Sequence, residues 1–173
     1  ASVYCYIEEK PELSLPFALE LRERFPRNYS FAFALANTFA ELHRFPEALA
    51  LAVEIGEGIA KGRAPYVPQL QPRYDHLQGM ILFNEGDYAR ARDHFLKALA
   101  DTSVRNIRTR TSAMVRLGMI HDARKERKEA REYYERALAV EGGEGFAQVQ
   151  ARKYLRTPHV SRLPASGTRA PSR

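Results

Sequence analysis

The stretch His76-Leu77-Gln78-Gly79-Met80-Ile81-Leu82-Phe83-Asn84-Glu85-Gly86-Asp87-Tyr88-Ala89-Arg90-Ala91, followed by Phe95 and Ala98-Leu99, decides the fold. Tyr88, Ala91, Phe95, Ala98 and Leu99 recur in steps of three and four, which places them on one face of a helix. Twelve residues before Ala91 stands Gly79, the small residue of an earlier helical segment. Gly86-Asp87 between them is a break that a helix does not cross. The unit is two helices joined by a tight turn, each with a small residue that lets the backbones come close.

The same spacing recurs on both sides. Downstream, Gly118 precedes Ala130 by twelve, and Tyr134, Ala137 and Leu138 follow. Upstream, Ala36 precedes Ala48 by twelve, with Phe45, Ala52 and Ile55 completing a looser copy. The repeat steps are 43 (Ala48 to Ala91) and 39 (Ala91 to Ala130). No short run shows the alternation of a strand. One such pair cannot bury its apolar face alone, so the pairs must stack. An all-α architecture of stacked antiparallel helix pairs follows.

These residues resemble the tetratricopeptide repeat family. The middle unit is similar to the family pattern of small and aromatic positions around a Gly-Asp-Tyr turn. The third, from Leu117-Gly118 to Ala137-Leu138, keeps the outer positions and has Lys125-Glu126-Arg127 at the turn. The first fits through Leu35, Ala36, Phe39, Leu42, Phe45 and Ala48, with Ala where the family usually has Gly. The resemblance covers residues 29–140 and implies a right-handed superhelix of helix pairs. The repeat steps exceed the family's usual 34, which implies longer linkers and an irregular superhelix.

The resulting division is a partial preceding repeat at 1–28, repeats at 29–60, 73–101 and 102–140, a proline-rich linker at 61–72, a capping helix at 141–156 and a disordered basic tail at 157–173. In the first of these, residues 12–25 read as the second helix of an earlier pair and residues 3–7 as a remnant of its partner, so the array is expected to continue upstream of Ala1. Pro65, Pro68 and Pro72 bar a continuous helix through the linker.

The chain has 173 residues, 27 Lys+Arg against 21 Asp+Glu, and one cysteine, Cys5. Cys5 alone excludes an internal disulfide and any multi-thiol metal site. No stretch approaches the roughly 18 apolar residues of a membrane span. The compartment is open, cytoplasm or, where an upstream signal has been removed, bacterial periplasm. Residues 1–150 are neutral, and the net charge of +6 sits in 151–173. Within the neutral part, residues 102–131 hold nine basic residues against three acids.

Catalytic signals are weak. The five histidines, His43, His76, His94, His121 and His159, show no paired metal spacing, and adjacent pairs such as Asp75-His76 point about 100° apart on a helix. The glycines at 142, 143 and 145 lack the Lys-Ser/Thr of a phosphate loop and read as a helix stop. No metal, cofactor or catalytic residue is assigned.

Binding signals are better, because the first helices of stacked pairs line the concave side. Projecting them gives a candidate peptide groove of Phe33, Asn37, Arg73, His76, Met80, Asn84, Arg116 and Met119, flanked by Ser30, Glu41, Val115 and Asp122. Met80 and Met119 hold equivalent places, and methionine suits a surface that accommodates varied apolar groups; the alternative is that both pack between neighbouring helices. Some members of the resembled family grip a C-terminal carboxylate with Lys, Asn and Arg. Asn37 and Arg116 match, whereas Phe33, Leu77 and Ser112 replace the other three, which argues against that activity here.

The expected function is a non-catalytic scaffold that binds a protein or peptide segment in this groove, as part of a larger protein. The rival is an electrostatic adaptor for RNA or another polyanion through the 102–131 cluster. The partner's identity and the oligomeric state are not written in the residues.

Overall fold

A computed structural model describes residues 10–160. Among the described residues there are eight α-helices and no strand: α1 Pro11–Arg24, α2 Tyr29–Glu41, α3 Phe45–Ala60, α4 Gln71–Glu85, α5 Tyr88–Ala100, α6 Ile107–Ala123, α7 Arg127–Leu138 and α8 Phe146–Arg156. Short 3₁₀ turns, Pro68–Leu70 and Val104–Asn106, lead into α4 and α6. Cys5, the helix remnant expected at 3–7 and the tail residues 161–173 lie outside the described residues.

The helix ends follow from local chemistry. Pro11, Pro46 and Pro72 stand in the first turns of α1, α3 and α4, where a missing N–H costs nothing. Pro72 therefore opens α4, which begins at Gln71, two residues earlier than the expected repeat boundary. Asn28 caps α2 by accepting the Ser30 N–H at 3.0 Å, and Asp87 caps α5 by accepting that of Arg90 at 3.0 Å.

One turn recurs in all three pairs. Gly86, between α4 and α5, is left-handed at φ +89°, and His43 and Lys125 at the equivalent places have φ +56° and +64°. The steps between them, 43 and 39, are those of the sequence repeat. Glycine adopts this conformation freely; histidine and lysine do so at a cost.

Within pairs, α2 packs on α3, α4 on α5 and α6 on α7. Between pairs, the first helices touch in series, α2 with α4, α4 with α6, and α6 with α8. Side chains of α4 serve both neighbours: Leu77 and Ile81 join the core of the first pair, while Met80 and Phe83 join that of the next two. The small residues set the spacing. A Cβ on Gly79 would lie 2.6 Å from the Phe95 ring, and one on Gly118 2.4 Å from that of Tyr134. In the first pair the aromatic position is Ala52, so Ala36 is tolerated where the others need glycine; both alanines are buried.

The ends are fixed by polar ties. Arg22 of α1 bonds Glu54 of α3 at 2.7 Å, and the buried Tyr66 of the linker donates its hydroxyl to the same carboxylate at 2.6 Å. Gln148 of α8 donates its amide to the carbonyls of Ala137, Leu138 and Val140 at 3.1–3.3 Å, satisfying acceptors that the end of α7 leaves open.

Candidate functional site

The first helices α2, α4 and α6 bring two arginines together around one histidine. Arg73 of α4 lies over the Phe33 ring at 4.7 Å and the Tyr29 ring at 5.7 Å, with a long contact to Ser30 Oγ at 3.5 Å. Arg116 of α6 lies over Phe83 at 5.4 Å, approaches Glu41 at 3.8 Å and points an Nη1 at Met119 Sδ, 3.7 Å away. Planar guanidinium groups seated on aromatic faces keep their charge while losing mobility.

His76 stands between them, its Nε2 2.8 Å from Ser112 Oγ across the α4–α6 boundary. Burial, then the charges of Arg116 and Arg73, push its pKa down to about 3. A serine–histidine contact is half of a nucleophilic relay, but a relay needs a histidine that accepts a proton near neutrality. Here two cations oppose the imidazolium. The contact links α4 to α6.

The projected residues divide into floor and rim. Phe33 (0%), Met80 (3%) and Met119 (3%) are buried, as is Val115, so the methionines pack between neighbouring helices and do not present an open apolar surface. The reason is the close approach of the first helices, which leaves their contact faces no solvent. Asn37, Arg73, His76, Asn84 and Arg116 are half-buried and form the rim. Asn37 and Asn84 share one arrangement, each donating its amide to the carbonyl four residues earlier at 3.0 Å. Asn37 Oδ1 is buried and has no hydrogen-bond partner among the described residues.

Phe83, which the projection left out, enters the same face beside Asp122, which it included. Phe83 and Asp122 each stand four residues after the glycine of their helix, hence at equivalent positions of α4 and α6. The Asp122 side chain is 1% exposed and accepts Arg127 Nη1 on both oxygens at 2.9 and 3.1 Å and the Tyr134 hydroxyl at 2.9 Å. Burial, and then this bond to Asp122, raise the Tyr134 pKa far above its ordinary value. Phe83 escaped the projection because it sits among apolar neighbours in the sequence and reads as core. The glycine register was the signal that would have found it.

Among the described residues no group of three or more His, Cys, Asp or Glu is placed to hold a metal ion, and no helix is long and apolar enough to cross a membrane. Four of the nine basic residues at 102–131 have acceptors within the fold. Arg110 bonds Thr102 O, Arg116 faces Glu41, Arg127 holds Asp122 and Arg131 pairs with Glu135.

Residues 72–140, which span α4 to α7, match the family model of the tetratricopeptide repeat. The segment belongs to the tetratricopeptide repeat family. Neither the curated proteins nor the solved structures give a match to the chain. The tetratricopeptide assignment agrees with the all-helical stack, in which the pair α2–α3 repeats the same geometry ahead of the matched residues, and it points to a protein-interaction scaffold.

Proposed function

We propose that the stack binds an extended segment of a partner protein along its first helices and performs no chemistry of its own. The observation that carries this reading is the convergence of Arg73 and Arg116, from successive repeats, on the neutral His76. Arg116, seated on the Phe83 ring and 3.8 Å from Glu41, favours an acidic side chain or terminus of the partner. Phe33, Met80 and Met119 supply the floor beneath these groups.

The test is binding of synthetic extended peptides that carry an acidic residue or free C-terminus, compared with amidated neutral versions. Wild-type chain should prefer the acidic set, and Arg116→Ala should remove the preference. Equal affinity for both sets in wild type would overturn the reading. For the polyanion alternative the structure supplies no favouring observation, since four arginines of the basic stretch already have acceptors inside the fold.

A further inference from the structure

Past α8 the backbone turns extended at Thr157 and brings His159 onto the first-helix face. The His159 N–H donates to Asp122 Oδ2 at 2.8 Å. Its ring meets Tyr154 edge-on at 5.3 Å and packs tilted against Phe83 at 6.1 Å, the same ring that carries Arg116. One residue of the chain thus touches the equivalent positions of two successive first helices. An extended partner running along the groove would need that corner.

The corner does not depend on His159 for its own integrity. Without it, Asp122 keeps both bonds from Arg127 and the one from Tyr134. Arg127 Nη2 independently holds the end of α8 through the carbonyls of Tyr154 and Leu155 at 2.8 and 2.9 Å. Neighbouring Thr157, Pro158 and Val160 are exposed, Val160 at 77%. Such a contact has a preformed acceptor and a preformed aromatic wall.

We propose that Phe83, Asp122 and Tyr154 form a seat for one residue of an extended peptide, taking its backbone N–H on the carboxylate and a flat side chain against the two rings, and that the chain fills this seat with its own His159. The groove is then held self-occupied, and a partner segment must displace residues 157–160 to pass. The competition with a partner rests on the groove reading above; the seat itself does not. Tethering keeps the internal copy at an effective concentration on the order of millimolar, so it outcompetes a free peptide of like sequence.

The experiment uses the full chain, wild type and His159→Ala, and a synthetic peptide of residues 156–162 as probe. In wild type the His159 amide should exchange with solvent at least about ten-fold more slowly than that of exposed Val160. His159→Ala should shift the amide resonances of Phe83, Asp122 and Tyr154 while its melting temperature stays within about two degrees. About 1 mM probe should then move those resonances back in the variant and leave wild type unchanged. A His159 amide that exchanges as fast as that of Val160 overturns the proposal, whatever the variant does. So does a probe that acts on both chains alike or on neither, and so does a variant that melts several degrees lower, which would make His159 a structural cap. Failure of the acidic-peptide test at Arg116 leaves these outcomes untouched, so the two readings fail separately.

Discussion

A Cβ placed on Gly118 would stand 2.4 Å from Cε1 of Tyr134, closer than any real contact of that kind. The ring has no room to yield, because its hydroxyl is tied to Asp122 at 2.9 Å and the whole side chain is buried. Gly118→Ala gains about 1 kcal/mol of helix propensity. It loses more to overpacking, so the net effect should be a destabilisation of about 1–3 kcal/mol in urea unfolding. An unchanged midpoint would mean that the α6–α7 contact is looser than the geometry states.

Ala91, twelve residues past Gly79 on the facing helix, is also fully buried. Ala91→Leu should cost about 1–3 kcal/mol for the same reason, since the added carbons have no void to enter. A neutral result would place that helix face elsewhere.

The recurring left-handed turn makes an opposite prediction. Lys125 sits at φ +64°, a conformation that costs a non-glycine residue about 1–2 kcal/mol. Lys125→Gly should therefore stabilise by about 0.5–1 kcal/mol after the extra entropy of glycine in the unfolded chain is subtracted. Gly86→Ala, at φ +89°, should destabilise by about 1–2 kcal/mol. Paired melting curves of the two variants check both signs at once.

Most of this fold was legible in small residues. Gly79 and Gly118, each twelve ahead of a buried alanine, gave the register of the pairs, and the His43, Gly86 and Lys125 turns fall on it. The site was less legible, for a physical reason. A helical projection tells which residues share a face but not how closely the neighbouring helix approaches, so Met80 and Met119 looked like open groove and are floor. Long-range polar ties left no trace at all. Nothing near Arg127 in the sequence announces that it holds the end of α8, and nothing near His159 announces Asp122.

His76 predicts a pH dependence. Its folded pKa lies near 3, below the ordinary unfolded value of about 6.5. Between those values the unfolded chain binds the proton that the folded chain refuses. Stability is thus fully present above about pH 6.5 and falls as the pH drops toward 3. The loss should be on the order of 2 kcal/mol by pH 5. His76→Gln, which keeps a polar partner for Ser112 without a titrating group, should flatten this part of the profile. An unchanged slope in the variant would assign the acid sensitivity to other groups.

The division of the groove into rim and floor can be read from two substitutions that a surface projection treats alike. Met119 is buried beneath Arg116, whose Nη1 lies 3.7 Å from its sulfur. Met119→Gln keeps the length but buries an amide among apolar neighbours, so it should cost about 1–3 kcal/mol of stability. Any binding defect in that variant would be entangled with its instability. Arg116 is different: its guanidinium rests on the Phe83 face and only approaches Glu41. Arg116→Ala should cost about 2 kcal/mol or less in unfolding, since the ion pair and the cation–π contact are each worth about 1 kcal/mol at most. It should nevertheless weaken an acidic peptide by about ten-fold, because a charge-assisted contact is lost from the bound state. Calorimetric titration beside thermal melting of both variants separates the two effects. If Met119→Gln proves as stable as wild type, the floor assignment is wrong and the methionines are open to a partner after all.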